Sequence, residues 1–257
     1  MTATRIEFNA VARAFQVSHP VSQYGHRALA SHDHGLNILL IQSGMGPNKA
    51  RTCTRQLLDN ASWDVIVSTG FAGALDLIPI GSVLIGHEVC EEPNSTFDAL
   101  LGLPRVACHP DWVHSALDLH WTGQESLRAG AFVSVDHVLT HSVDKHKLKA
   151  LTSAIGVDME SAAIGEVAQE HCQPFLIVRA ISDGVNEDLP VDFNLFLKPS
   201  GWIPGVLSIL STPRSWKGFF DLYQHSKQAS TELTRFFEEF FSTITTWPTS
   251  ETSSAMK

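Results

Sequence analysis

The chain has 257 residues, of which 44% are hydrophobic and 18% charged, and its formal net charge is -9. This is the composition of a globular protein and excludes wholesale disorder, and a chain of this length buries enough surface to fold without a disulfide or metal. The negative charge argues against nucleic acid as a partner, because phosphate contacts require clustered Lys and Arg, but it does not exclude a nucleoside.

The cysteine pattern and the N-terminus indicate a cytoplasmic protein. The four cysteines include no CxxC pair, which is typical of reduced thiols rather than of disulfides or a zinc site. We expect no secretory signal and no membrane span, because no apolar segment of the required length occurs. His32 and His34 form the nearest approach to a metal pair, but no third ligand follows at a useful spacing and a turn at Gly35 explains them. We therefore predict no metal and no cofactor.

Apolar runs rich in Val and Ile recur along the chain and predict central strands covered on both faces. In chain order these strands are residues 37–42, 64–68, 82–85, 131–135 and 174–179. A helix is predicted over 47–60, with Pro47 in its first turn, and another over 158–171, with Asp158 as N-cap. The alternation predicts the α/β class, with a mixed, mostly parallel central sheet flanked by helices in three layers.

The C-terminal part has a different character. Residues 199–214 contain three prolines and two glycines, so they cannot form one uninterrupted helix, whereas a helical pattern returns over 215–244. We predict an α/β core over 1–197, an apolar helical extension over 198–247 packed on the same domain, and a disordered tail over 248–257.

Three predicted strands run into loops that contain glycine and polar residues, at 43–46, 68–73 and 179–184. Ligands of open α/β sheets bind beyond the carboxyl ends of the strands, where glycines let the backbone approach them. Each loop alone is a weak signal that is more often only a turn, Asp183 alone would fit a helix cap, and Glu160 alone would fit compensation for a helix dipole.

Two segments together carry a specific resemblance. Gly-Val-Asp-Met-Glu-Ser-Ala-Ala at 156–163 and Val-Arg-Ala-Ile-Ser-Asp at 178–183 resemble the methylthioadenosine/S-adenosylhomocysteine nucleosidases and their relatives in the nucleoside phosphorylase/nucleosidase superfamily. The similarity extends to residues 64–75 and 190–197 and covers most of residues 1–197. The resemblance implies the fold of that superfamily, a homodimer, and an enzyme that cleaves the N-glycosidic bond of a purine nucleoside.

The resemblance also implies roles for individual residues. Asp183, protonated or sharing a proton through burial, would donate to N7 of the base, and Glu160 would bind the ribose hydroxyls. Met159 would pack under the sugar, although a core methionine would look the same. Glu7, four residues after Ala3, would activate the attacking water, although an exposed Glu at a helix start would look the same. The remaining predicted binding residues are Ser182, Ala72, Gly73, Phe71 and Val138.

The chain departs from the family pattern at three places. Only Met1 and Thr2 precede Ala3, where the family has its first strand, so we expect either a start further upstream or a sheet that lacks an inner strand. Phe71 stands where adenosine-type relatives often have a small hydroxyl residue, and Val138 where they tend to have an aromatic ring against the base.

The nucleophile is predicted to be water. Phosphorylases of this superfamily neutralise phosphate with arginines in a GDPxR-like loop and before the Gly-rich loop. Residues 65–69 contain none, although Arg5 lies in the first loop and leaves phosphorolysis open.

The loop 43–47 and the chain beyond 197 most resemble the hopanoid-associated branch, whose substrate is adenosylhopane. An apolar lip for a lipid tail or a peripheral membrane contact is predicted there, and packing on the core or a dimer partner is the alternative. Its residues would be Trp202, Ile203, Val206, Leu207, Ile209, Leu210, Trp216, Phe219 and Phe220. The chain is thus predicted to hydrolyse a 5'-substituted adenosine, with adenosylhopane as the leading substrate. Methylthioadenosine/S-adenosylhomocysteine nucleosidase activity, a phosphorylase, and a weakly catalytic nucleoside-binding or membrane-associated protein remain alternatives.

Overall fold

The structure, a computed structural model, describes residues 1–92, 104–189 and 213–244, with side chains from residue 220 onward in the last stretch. The helices are α1 (Arg5–Ala12), α2 (Pro47–Leu58), α3 (Pro110–Leu117), α4 (Ser142–Thr152), α5 (Ser161–Glu170) and α6 (Pro213–Thr243). The strands are β1 (Ser18–Gln23), β2 (His26–Asp33), β3 (Leu36–Gln42), β4 (Ile66–Ala74), β5 (Val83–Glu91), β6 (Arg105–Ala107), β7 (Leu127–Ser134), β8 (Gly156–Asp158) and β9 (Phe175–Asp183).

The central sheet is mixed, as predicted, and it closes on itself. Its order is β6-β5-β7-β8-β4-β9, and β9 also pairs with β5, so five of the six strands form a ring. The two longest pairings, β4 with β9 and β5 with β7, are parallel, whereas β5–β9, β4–β8 and β5–β6 are antiparallel. Closure removes free edges from these five strands and brings the ends of β4, β8 and β9 together.

The strand predicted over 37–42 is real but does not belong to the central sheet. It is β3, the last strand of the antiparallel sheet β1-β2-β3. Its predicted coverage on both faces is wrong, because the side chains between Leu36 and Leu39 are exposed or only half-buried and only Leu40 and Ile41 are buried. The hairpin between β2 and β3 holds His32 and His34, and His32 Nδ1 lies 2.9 Å from Asn37 Oδ1.

Met1 and Thr2 connect the two sheets. The Thr2 N–H donates to the Ile41 carbonyl at 2.9 Å, the Ser43 N–H donates to the Thr2 carbonyl at 2.8 Å, and the Thr69 N–H donates to the Met1 carbonyl at 2.9 Å. These two residues therefore lie between the end of β3 and β4 and hold the following turn, from which α1 begins.

The helix predicted from Asp158 begins three residues later. Asp158 ends β8, and α5 starts at Ser161 with Glu160 at the N-cap position and no side-chain capping bond from it. The Asp158 carboxylate instead accepts from the Ser161 N–H at 3.2 Å and from the hydroxyls of Ser134 and Ser161. The N-cap assignment is therefore wrong because β8 uses the backbone of Asp158.

Helix α6 packs its second half against α1, α3 and β9. Its buried residues join the core that contains Phe8, Trp112 and Leu176. These residues are Ala229, Leu233, Phe236, Phe237, Phe240, Phe241 and Ile244. The predicted division at residue 197, the lip residues Trp202 to Leu210 and the tail 248–257 lie outside the described residues, as do the side chains of Trp216 and Phe219, while Phe220 is exposed.

Candidate active site

A pocket of about 170 Å³ opens where β4, β8 and β9 end, between the turn before α1, the segment after β7 and the start of α5. All nine residues that the sequence analysis selected line it. They are Glu7, Phe71, Ala72, Gly73, Val138, Met159, Glu160, Ser182 and Asp183. The convergence arises because the carboxyl ends of the parallel strands β4 and β9 meet at the same edge of the sheet.

Glu7 is held on one side of the pocket by a capping box. The Thr4 hydroxyl accepts from the Glu7 N–H at 3.3 Å, and Glu7 Oε2 accepts from the Thr4 N–H at 2.7 Å. Glu7 Oε1 also accepts from the Phe71 N–H at 2.8 Å. The alternative of an exposed helix-start Glu is wrong, since Glu7 is only 4% exposed.

Two glycines of β4 make room for two pocket carboxylates. A Cβ on Gly70, whose φ is 152°, would lie 2.3 Å from Glu7 Oε1 and 2.9 Å from Arg179 Nη1. A Cβ on Gly73 would lie 2.9 Å from Asp183 Oδ2. Real Cβ atoms essentially never approach this closely, so each carboxylate can occupy its present position only beside a glycine in β4.

Glu160 and Asp158 share the buried guanidinium of Arg179 behind the pocket. Arg179 Nη2 lies 2.7 Å from Asp158 Oδ2 and 3.7 Å from Glu160 Oε2. The same nitrogen donates to the hydroxyls of Ser68 and Ser161 at 2.9 and 3.1 Å. Five neighbouring groups, counting the Phe71 carbonyl, thus orient one cation.

Burial raises the pKa of Glu160 to about 7, although Arg179 acts in the opposite direction. Asp158 and Glu7 raise the pKa further by repulsion, and the Gly46 N–H, which donates to Glu160 Oε1 at 2.9 Å, lowers it. Because this pKa is near neutral, the Glu160 carboxyl group can accept hydrogen bonds from ligand hydroxyls when it is ionised and can donate one when it is protonated.

Asp183 lines the same pocket as Glu7 and is the last residue of β9. Its Oδ1 accepts from the Ser182 hydroxyl at 3.1 Å, and its Oδ2 accepts from Lys145 Nζ at 2.6 Å. The side chain is 15% exposed, so one edge of the carboxyl group remains open to the pocket.

Apolar groups form the remaining walls. Met159, Phe71 and Val138 are half-buried, and Met45, which is exposed, and Leu139 lie at the same pocket. Met159 packs against the cluster around Val157 rather than inside it, so it presents part of its side chain to the pocket.

The sequence analysis missed three charged groups at the site: Asp158, Lys145 and Arg179. Arg179 had a signal, because it is the single charge in the otherwise apolar predicted strand 174–179 and must find a partner when buried. Lys145 shares a helical face with Leu148 and Thr152, three and seven positions later, which marks it as inward-facing. Arg5, the predicted phosphate contact, is exposed and does not line the pocket.

Comparison with known proteins gives the family. The profile of the Phosphorylase superfamily matches residues 1–198. The chain belongs to the Phosphorylase superfamily. Among its relatives in the superfamily, the 5'-methylthioadenosine/S-adenosylhomocysteine nucleosidase of Staphylococcus epidermidis is 28% identical over 169 residues, which are 62% of this chain and 74% of that protein.

Solved structures of the superfamily share the fold. The Neisseria meningitidis 5'-methylthioadenosine/S-adenosylhomocysteine nucleosidase, in complex with methylthio-immucillin-A, superposes with a TM-score of 0.72 at 21% identity, covering 94% of this chain and 96% of that one. A futalosine hydrolase mutant of Helicobacter pylori gives a TM-score of 0.68 at 18% identity, covering 91% and 95%. These likenesses confirm the predicted fold class.

The described residues contain neither a cluster of metal ligands nor a membrane-spanning helix. Within residues 1–92, 104–189 and 213–244, no three His, Cys, Asp or Glu side chains are grouped as metal ligands. No helix in the part of the chain that the structure describes is long and apolar enough to cross a bilayer.

Proposed function

We propose that this chain hydrolyses the N-glycosidic bond of a 5'-substituted adenosine and releases adenine. The observation that carries the proposal is that Asp183, Glu160 and Glu7 converge on one pocket from three separate parts of the chain. Cleavage of this bond builds positive charge on the ribose and negative charge on the base, so it requires an acid at the base and carboxylates near the sugar.

Each carboxyl group has a distinct task in this proposal. Asp183 transfers a proton to N7 of the base as the C1'–N9 electron pair moves onto the purine. Glu160 bonds the ribose hydroxyls, and Met159 packs against the sugar. Glu7 accepts a proton from the water whose oxygen bonds to C1'. Glu7 Oε2 already accepts two hydrogen bonds from Thr4, whereas Oε1 accepts only the Phe71 N–H and keeps a further acceptor site for the water.

Water is favoured over phosphate as the nucleophile. A phosphorylase needs cationic side chains that are free to neutralise the anion. The two buried cations at this pocket, Arg179 and Lys145, already face Asp158 and Asp183. Arg5 is exposed outside the pocket.

Two 5' substituents compete within this proposal. The name of the Staphylococcus epidermidis relative supports methylthioadenosine and S-adenosylhomocysteine. Adenosylhopane is the second candidate, favoured by the run of Trp, Ile, Leu and Val over 202–210, which a small polar substrate does not require. Action in the cytoplasm, a homodimer and a peripheral membrane contact through this extension belong to the same proposal.

The test is adenine release by the purified chain, measured with and without phosphate on methylthioadenosine, S-adenosylhomocysteine and adenosylhopane in mixed micelles. We expect release that does not depend on phosphate and yields the free sugar. A sugar 1-phosphate product would make the chain a phosphorylase. Binding of the nucleosides without any release would favour the weakly catalytic nucleoside-binding protein instead.

A further inference from the structure

Lys145 is a fully buried lysine at the pocket. It lies on α4, its side chain is 0% exposed, and its Nζ donates to Asp183 Oδ2 at 2.6 Å, to the Gly184 carbonyl at 2.8 Å and to the Glu187 carbonyl at 3.3 Å. An ammonium has three N–H donors and no acceptor, so these three contacts occupy all of its donors. The ammonium therefore has no unsatisfied donor.

A buried lysine is a poor choice for stability alone. Desolvation of the ammonium offsets much of the attraction to its partner, and an apolar side chain of similar size is often as stable in such a place. The same inward face of α4 holds Leu148 and Thr152, which are buried without a charge. The lysine thus calls for an explanation in terms of its contact with Asp183.

We infer that Lys145 is a positioning residue for the acid step at Asp183, an inference that rests on the proposed function. Its ammonium fixes Oδ2, so Oδ1 is the oxygen that carries the proton toward the base. In the step, the Oδ1–H bond breaks, the N7–H bond forms and the C1'–N9 electron pair goes to the purine. Lys145 keeps all its protons and stabilises the carboxylate that Asp183 becomes.

The charges that face Asp183 come from several elements. Lys145 of α4 contacts Asp183 directly. Glu7, in the first turn of α1, and Glu160, at the N-cap of α5, line the same pocket. Glu187 lies beyond Asp183, where its carboxylate accepts from the Gly184 N–H at 3.0 Å and lies 3.6 Å from His225 of α6. Among the described residues, Lys145 is thus the cation that contacts Asp183, while Glu7 and Glu160 bring negative charge to the same pocket.

The experiment compares Lys145→Met and Lys145→Gln with Lys149→Met. Lys149 is one turn along the same helix and pairs with Asp76 outside the pocket, so it is the matched control. We expect kcat for adenine release to fall at least about tenfold in both Lys145 variants, with KM changed less than about threefold, as befits a group that acts in the transition state. The alkaline limb of kcat should move to higher pH, and Lys149→Met should match the wild type.

Two further measurements separate this role from a structural one. The Lys145→Met/Asp183→Asn double variant should be no slower than Asp183→Asn alone, because the two residues act as a unit. Isotope-edited NMR of the carboxyl groups, with Asp183 identified by its loss in Asp183→Asn, should show Asp183 keeping its proton to higher pH in Lys145→Met. Additive losses, or an unchanged Asp183 titration, overturn the inference.

The NMR measurement also distinguishes the two proposals. If the wild type releases no adenine but Asp183 titrates differently in the two chains, the proposed function fails while the coupling stands. If adenine is released and the titration is unchanged, the proposed function stands and the inference about Lys145 fails. Lys145→Gln keeps the comparison available if the methionine variant does not fold.

Discussion

The second half of α6 and the pocket bury different kinds of side chain. Around the second half of α6, aromatic rings pack against one another. The ring centroids of Phe236 and Phe237 are 5.3 Å apart, and those of Phe240 and Trp112 are 6.4 Å apart. At the pocket, Arg179 and Lys145 are buried against carboxylates instead. Apolar burial stabilises without strict geometry, whereas a buried ion pair contributes little net stability and depends on its partners. The aromatic packing around α6 therefore stabilises the fold, whereas the presence of buried charges at the pocket is explained by the chemistry of the site.

Asp183→Asn should break the chemistry and leave the α6 region untouched. An amide cannot supply the acid proton, so kcat should fall by about 10²–10⁴-fold. The melting temperature should also fall, because the amide removes the counter-charge of the buried Lys145 ammonium, but the Asn oxygen can still accept from Lys145 Nζ and the chain should still fold. Near-wild-type adenine release by this variant would remove Asp183 from the mechanism.

Phe240→Ala is the reciprocal change. Phe240 is 1% exposed and contacts three other aromatic rings of α6, so its loss should lower the free energy of unfolding by roughly 3–5 kcal/mol. Below the new melting temperature, kcat should equal that of the wild type. Phe220→Ala, at an exposed position of the same helix, serves as the control in denaturant titrations. A lowered kcat in folded Phe240→Ala would mean that the two regions are coupled.

Glu160→Gln should weaken binding of the ribose in the transition state. If its hydroxyl bonds tighten during the reaction, kcat/KM should fall by an amount equivalent to roughly 2–4 kcal/mol. The loss should be smaller for a 2'-deoxyribose substrate, in which one hydroxyl partner is absent. Equal losses on the ribose and 2'-deoxyribose substrates would contradict the proposed contact.

The same residue predicts how stability depends on pH. Because burial raises the pKa of Glu160 from 4.5 to about 7, the folded chain binds its proton more tightly than the unfolded chain does. The corresponding stability is fully present below about pH 4.5 and lost as pH rises through about 7, by up to roughly 3 kcal/mol. Glu160→Gln should flatten this part of the pH profile in urea titrations, whereas Glu170→Gln, at an exposed pair with Arg55, should not.

The smallest effect is expected in the extension. Replacing Trp202, Ile203 and Leu207 with Ser should weaken action on adenosylhopane and barely change action on methylthioadenosine. Burying three such side chains against a lipid corresponds to roughly 5–9 kcal/mol before ordering costs, of which only part appears in kcat/KM. Equal losses on both substrates would assign these residues to the core or to a dimer interface.

The sequence predicted the pocket better than it predicted the sheet around it. Asp183, Ser182 and Gly73 could be found because polar and glycine residues directly after apolar strands lie at one sheet edge. Glu160 and Glu7 were predicted from the family resemblance, because a carboxylate that only stabilises the start of a helix gives the same local sequence pattern. The structure confirms that these residues share a pocket, while their roles stay predictions.

Other features carried too weak a local signal. Strand β8 has three residues, which is too short for a periodic pattern, and without it Asp158 looked like a helix cap. The pairing of β9 with β5, which closes the ring, joins residues nearly a hundred positions apart and leaves no mark in either segment. The contact of Lys145 with Asp183 likewise depends on how α4 packs.

The glycines of β4 constrain the order in which this site could have arisen. With alanine at position 70, a Cβ would occupy the place of Glu7 Oε1, so the carboxylate could take its present position only in a chain that already had glycine there. The reverse order is open, because glycine at 70 makes no demand on residue 7. Gly73 and Asp183 stand in the same relation. Once either carboxylate is in place, replacing its glycine requires the carboxylate to move, so each pair of positions is expected to change together.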